Sequence, residues 1–322
     1  MDEFGQRELS AAGVFGDAAT ATVIGRALAE RQIRKTRVPR YFPLALADLL
    51  RERGVELLVD TELDRRRRTK RPDELEALES VQRATEAAWA LGVDALRRAA
   101  IGSRRELVLD GLPFTAERLR GIIEAALLER GCAADATIVA PGTQAADPHM
   151  IGTGPLRAGE PIVMDIFPQD KRTRYFADMT RTVSREEPPT EIVRMYDVVL
   201  RAQDAGIAAL RPGTTGREVH ELVEDVIFEA GYDTLRPGQK RRPDDPVTRG
   251  FIHGTGHGVG LEIHEEPRIG RSGTEPLAPG DVVTIEPGIY DPDLGGVRLE
   301  DMLVVTESGA RDLTRAVRQL IV

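Results

Sequence analysis

Residues 253–267 read HGTGHGVGLEIHEEP and hold three of the chain's five histidines, interleaved with four glycines and closed by two glutamates and a proline. Imidazoles gathered in this way serve metal binding or proton transfer. His253 and His257 stand at i,i+4, but glycines at 254, 256, 258 and 260 defeat a helix, so an extended or looped segment is expected. In an extended chain His253, Thr255 and His257 point to one side, while the glycines let neighbouring backbone approach. The spacing does not satisfy G-x-G-x-x-G, which speaks against a nucleotide-phosphate loop.

Four carboxylates in strand-like surroundings form the second constellation. The stretch PLRAGEPIVMDI from Pro155 aligns without a gap on PLAPGDVVTIEP from Pro276, which places Asp165 on Glu286. Each copy is followed by another strand-like stretch with an acid, Asp178 in RYFADMTRTV and Glu300 in GVRLEDMLVV. Two copies of one strand-forming unit predict a pseudo-twofold domain whose hairpins bring the acids together at its centre. Taken singly, each acid reads as a strand-end carboxylate paired with an arginine. Four buried together would repel one another and lose hydration, and bound cations relieve both costs. Four carboxylates with one imidazole make a set of mostly hard oxygens that suits two divalent ions, Mn²⁺ or Co²⁺ ahead of Zn²⁺ or Fe²⁺. Two such ions activate water and stabilise a tetrahedral intermediate, the chemistry of amide hydrolysis.

The elements that must position these groups follow from periodicity and punctuation. Residues 17–60 alternate between helical stretches (AATATVIGRALAERQ, LALADLLRERG) and a short strand (VELLVD), a small α/β unit. Pro72 followed by Asp73 and Glu74 reads as a helix start, so the domain boundary is placed near residue 70, giving domains 1–70 and 71–322. On the helix that follows, Leu78, Val81, Thr85 and Trp89 share a face and predict core packing. Thr115 is expected to cap a further helix, and another should end at Gly231. His220 lies on that last helix and reads as a tolerated polar side chain outside the site. The run Arg65 to Arg68 reads as a solvated linker or helix face. The expected fold class is α+β.

Composition narrows the partners. A net charge of −9 disfavours nonspecific binding to nucleic acid or an anionic membrane. Cys132 is the only cysteine, so neither an intramolecular disulfide nor a cysteine metal site is available. No stretch approaches the ~20 apolar residues of a membrane span, and the N-terminal residues lack a signal-peptide core, so a cytoplasmic protein is expected.

HGTGHGVGLEIHEEP, together with the strands carrying Asp165, Asp178, Glu286 and Glu300, resembles the creatinase/aminopeptidase superfamily of pita-bread metallopeptidases, and within it the Xaa-Pro aminopeptidase and prolidase branch. The resemblance spans roughly residues 70–322. It implies a pita-bread catalytic domain behind a short creatinase-like N-domain, and a dinuclear metal centre held by Asp165, Asp178, His257, Glu286 and Glu300, with Asp178 and Glu300 bridging. By the same resemblance His149, His253 and His264 bind substrate and handle protons, and Glu286 accepts the proton of the attacking water. Arg298, two residues before Glu300, would orient that glutamate or meet a substrate carboxylate, with a surface salt bridge as the plainer reading. The implied reaction is cleavage between an N-terminal residue and proline in a peptide or dipeptide, and the implied assembly is a homodimer. Aminopeptidase and dipeptidase remain alternatives.

The family's small residue just after the first metal aspartate is replaced here by Phe167 and Pro168, and the loop PQDKRTRYFA is slightly long. Competing readings are a creatinase-like or methionine-aminopeptidase-like hydrolase of the same fold, and a peptide- or protein-binding pita-bread module without catalysis. The complete ligand set disfavours the creatinase-like and non-catalytic readings, and a histidine at 253 disfavours methionine aminopeptidase.

Overall fold

The computed structural model describes residues 4–236 and 249–322, which divide into two units between Arg66 and Arg67. In the first unit, helices α1 (Gly16–Glu30) and α2 (Leu44–Glu52) pack around Ala21, Leu46, Leu50 and Val55. Strands β1 (Lys35–Val38) and β2 (Glu56–Val59) pair in parallel, as an α/β connection requires.

The second unit lays a pair of helices on each of two sheets. In its first half, α3 (Pro72–Arg98) and α4 (Ala116–Glu129) cover the antiparallel strands β3 (Ile138–Pro141), β4 (Ile162–Ile166) and β5 (Met179–Val183), with β4 in the middle. Helix α3 starts where the sequence predicts, with Pro72 in its first turn and the Glu74 carboxylate accepting from the Arg71 amide at 2.8 Å. Its face of Leu78, Val81, Thr85 and Trp89 is buried. Complete burial of a leucine such as Leu78 or Leu119 contributes about 2 kcal/mol. Thr115 caps α4 by accepting from the Arg118 amide.

In the second half, α5 (Thr190–Ala209) and α6 (Gly216–Glu229) cover a five-stranded sheet. Its strands are β6 (Gly256–Gly258), β7 (Glu265–Ile269), β8 (Val282–Ile285), β11 (Asp301–Val305) and β12 (Ala310–Asp312), in the order β7-β6-β8-β11-β12. A hairpin of β9 (Gly288–Asp291) and β10 (Gly295–Arg298) separates β8 from β11. Each half thus builds its acids into an antiparallel pair, β4 with β5 and β8 with β11, as the internal repeat predicts.

The halves are stitched together beside those acids. The Glu300 amide donates to the Thr180 carbonyl at 3.0 Å, and the Thr182 hydroxyl accepts from the Arg298 amide and donates to the Arg298 carbonyl, both at 2.9 Å. Arg181, fully buried, bonds the Glu300 carbonyl at 2.7 Å and Asp301 Oδ1 at 2.6 Å.

Arg65 and Arg66 are exposed, as a solvated face requires, but the end of the basic run departs from that expectation. Arg68 is buried against Asp281, with Nε 2.9 Å from Oδ1, and Arg67 and Lys70 both grip the buried Glu265, at 2.8 and 2.6 Å. The carboxylates that require these cations lie some 200 residues away in sequence, so a local reading of the run could not anticipate them. No helix among the described residues is long and apolar enough to cross a membrane.

Candidate metal centre

Strand ends deliver the four acids. Asp165 sits near the end of β4, directly across from Thr180 on β5 and Ile138 on β3, and Asp178 immediately precedes β5. Glu286 follows β8 and Glu300 precedes β11, so the second half repeats the arrangement. His257 enters from the middle of β6, where Gly256 is required: a Cβ there would lie 2.0 Å from the Thr284 carbonyl oxygen of β8. All five line one cavity of about 620 Å³.

The geometry at His257 decides what this cavity holds. Its Nδ1 lies 3.1 Å from the Gly258 carbonyl, which can only accept, so Nδ1 carries the proton. Burial, reinforced by His264, pushes His257 down to about 3, so the ring is neutral and Nε2 is a bare lone pair. That lone pair lies 3.4 Å from both Asp178 Oδ2 and Glu286 Oε1. Acceptors facing acceptors repel unless a proton or a metal cation stands between them. Ligand atoms of Asp178, His257 and Glu300 all lie within 4.8 Å of one another, and Asp165 Oδ1 and Glu300 Oε1 are buried without a hydrogen-bond partner.

The carboxylates register the same crowding. Burial, with the neighbouring acids, raises Asp178 and Glu300 well above the ordinary carboxylate range, and burial raises Glu286 to about 7. A neutral imidazole aimed by a backbone carbonyl at clustered oxygens is the donor set of a divalent-cation site, and these residues fit one.

Other side chains aim the ligands. Thr180 Oγ1 donates to Glu300 Oε2 at 2.8 Å, and Thr284 Oγ1 reaches Glu286 Oε1 at 3.4 Å while accepting from the His257 amide at 3.2 Å. Arg298 is buried and donates to Asp165 Oδ2 at 2.6 Å, to Thr180 Oγ1 at 3.2 Å and to the Tyr290 hydroxyl at 3.1 Å. Burial opposes its charge, but Tyr290, Asp165 and Glu286 outweigh that and hold it firmly cationic. It therefore serves Asp165 directly and Glu300 only through Thr180, and the surface salt bridge is excluded by its burial.

The remaining histidines named from the sequence line the same cavity. His253 donates from Nδ1 to the Gly254 carbonyl at 2.7 Å; burial and Arg298 push it down to about 3, so its Nε2 accepts from the Tyr290 hydroxyl at 2.8 Å. His264 is exposed, its ring set edge-on to His257 with centroids 4.3 Å apart, and burial of its ring and Arg268 lower its pKa. His149 is exposed on the rim of the cavity. Phe167 lines the wall, and the long loop is absorbed outside it, where Gln169–Asp170 pair with Cys132–Ala133.

Four residues of the site are not among those the sequence singles out for it. Thr180 and Thr284 stand two positions from Asp178 and Glu286, so strand alternation alone could have found them. Tyr290 carries no local signal. His220, expected to be a tolerated polar side chain outside the site, is buried and lines the cavity, with Nδ1 2.9 Å from Thr255 Oγ1.

The chain is similar to known peptidases in sequence and in fold. The Xaa-Pro dipeptidase of Pyrococcus furiosus is 39% identical over 186 residues, covering 58% of this chain and 49% of that protein. The chain spans about half the length of the first curated relatives it matches. Among solved structures, an X-Pro aminopeptidase from Thermotoga maritima superposes with a TM-score of 0.79 at 26% identity, covering 94% of this chain and 79% of that one. A dipeptidase from Pyrococcus horikoshii superposes with a TM-score of 0.77 at 31% identity, covering 94% and 78%. The fold is accordingly the pita-bread fold of the aminopeptidase and prolidase branch. Residues 76–307 match the description "Metallopeptidase family M24", and with its clustered Asp178, His257 and Glu300 the chain belongs to that family of divalent-metal peptidases.

Proposed function

We propose that the chain is a dinuclear-metal exopeptidase that hydrolyses the bond between an N-terminal residue and proline. The observation that carries this reading is the bare Nε2 of His257 facing two carboxylate oxygens at 3.4 Å inside a cavity lined by two further acids. Similarity to the Pyrococcus furiosus Xaa-Pro dipeptidase supports the proline preference and favours a dipeptidase over an aminopeptidase acting on longer peptides.

Asp165, Asp178, His257, Glu286 and Glu300 would hold two divalent ions. Oxygen-rich ligation favours Mn²⁺ or Co²⁺ over Zn²⁺ or Fe²⁺. When bound, such ions supply Lewis-acid polarisation of the scissile carbonyl and acidify water. Glu286, which lines the cavity beside the other acids, would take up the proton of the attacking water. His264, edge-on to His257, and His149 at the rim offer hydrogen bonds to the peptide. His253 holds the Tyr290 hydroxyl, and Arg298 holds Asp165. Phe167 supplies an apolar wall that narrows the cavity.

The first unit is proposed to be a short creatinase-like N-domain ending near residue 70, and the assembly a homodimer, which light scattering of the purified protein tests.

The deciding experiment is a panel of Xaa-Pro dipeptides, longer Xaa-Pro peptides and Met-initiated peptides, each with added Mn²⁺ or Co²⁺. Turnover of Xaa-Pro dipeptides alone supports the dipeptidase. Turnover of longer Xaa-Pro peptides moves the reading to an aminopeptidase, preferential release of methionine to a methionine aminopeptidase, and no turnover by folded, metal-loaded protein rejects it.

A further inference from the structure

The segment that delivers His257 is tied into its sheet by few and irregular pairs. Strand β6 meets β8 only at Gly258 with Val283 and meets β7 at Gly256 with Ile269 and Gly258 with Glu265, with a register shift between those two. Its position therefore depends on bonds outside the ladder. Thr255 supplies two of them. Its carbonyl accepts from the Glu286 amide at 2.7 Å, which ties the segment to a second candidate ligand, and its hydroxyl lies 2.9 Å from His220 Nδ1 on α6.

His220 is itself anchored. Its Nε2 faces Glu224 Oε2 at 3.6 Å one helical turn along, and Arg271 Nη2 grips both Glu224 oxygens at 2.7 and 2.8 Å. Thr255, His220 and Glu224 are all buried, at 0, 3 and 1% exposure, so the chain of contacts is shielded from water and little free to rearrange. Nδ1 and the Thr255 hydroxyl share a hydrogen bond, and the carboxylate beside Nε2 favours the tautomer in which Nε2 carries the proton and Nδ1 accepts. The same ring packs against Phe251, centroids 5.7 Å apart, and Phe251 meets His253 edge-on at 5.1 Å. One imidazole on α6 thus braces the histidine segment both through Thr255 and through Phe251.

We propose that His220 is a positioning residue for the metal centre: by fixing Thr255 it sets where His257 and the Glu286 backbone stand, while touching neither ligand. This rests on the metal reading above, and its test separates the two.

Three variants decide it. His220→Phe keeps ring volume but removes the acceptor; His220→Asn restores an acceptor near the Nδ1 position; Thr255→Val removes the hydroxyl from the other side. Amide hydrogen exchange of the metal-free proteins reads the segment directly, and Co²⁺ titration followed by visible absorption reads the site without turnover. His220→Phe and Thr255→Val should both speed exchange across residues 254–258 and weaken Co²⁺ binding by about tenfold, and His220→Asn should recover binding to within about threefold of wild type. Unchanged exchange in both His220→Phe and Thr255→Val, or an Asn variant as impaired as the Phe variant, overturns the role of His220. Wild-type protein that takes up no Co²⁺ rejects the metal reading instead, and the exchange comparison still judges His220. Should His220→Phe fail to fold, the Thr255→Val and His220→Asn pair carries the comparison.

Discussion

Arg298 donates from Nη2 to Oδ2 of Asp165 at 2.6 Å, a partly buried bond that crosses from the β9–β10 hairpin of one half of the second unit to β4 of the other. The same guanidinium reaches Thr180 and Tyr290, so a planar fork fixes three partners at once. A lysine ammonium cannot span them. Arg298→Lys is therefore expected to keep the fold but lower metal affinity and kcat by about 10–100-fold, measured by Co²⁺ titration and steady-state kinetics. Wild-type values in both would remove Arg298 from the machinery.

Asp178→Asn removes a carboxylate that, without metal, is repelled by Glu300, Asp165 and Glu286. Turnover should fall about a thousandfold, equivalent to ~4 kcal/mol of barrier. Stoichiometric metal should be lost, while the metal-free variant melts at or above the metal-free wild type because a repulsion is gone. A metal-free variant that melts lower contradicts the crowding read at this site.

The pH dependence has a definite sign. Glu286 titrates near 7 in the folded chain and in the ordinary carboxylate range when unfolded, so between the two the folded state binds more protons. Its contribution, shared in direction by Asp178 and Glu300, is to lower stability as pH rises through that window. The depressed histidines, His220 near 4 and His253 and His257 near 3, act oppositely, and their contribution is complete above about pH 6.5. The metal-free protein should accordingly lose thermal stability from about pH 6.5 to about pH 8. Metal requires the ionised carboxylates, so the melting-point gain on adding Mn²⁺ should be larger at about pH 8 than at about pH 6. A gain that shrinks as pH rises contradicts this assignment.

Arg68 and Asp281 form a buried pair that takes no part in lining the cavity. Arg68→Met leaves Asp281 charged and uncompensated and should cost about 3–5 kcal/mol in denaturant unfolding. Adding Asp281→Asn should recover part of that loss, since the two positions act as one unit. Full additivity of the two single losses would show that they do not.

The candidate ligands are legible in the sequence because their signals are local or repeated. Glycines at 254, 256, 258 and 260 forbid a helix, and the echo between Pro155 and Pro276 marks matching acids on matching strands. Helix starts are legible for the same reason: Pro72 and the Thr115 cap act within one turn. Thr180 and Thr284 lie within reach of the same strand alternation, two positions beyond or before an acid on the same strand face.

What the amino-acid order determined by itself was a set of strands and helices with a preferred period, and the residue types able to bind a cation. Only the tertiary structure decided how the two halves register against each other. That register sends Arg298 to Asp165, while packing within the second half places Tyr290 between Arg298 and His253 and brings His220 under Thr255 across 35 residues. Packing likewise buried Arg68 and Lys70 against Asp281 and Glu265, partners that lie far away in sequence. Periodicity is a property of a few consecutive residues, whereas the partner of a buried charge is chosen by packing between segments that the chain brings together only on folding.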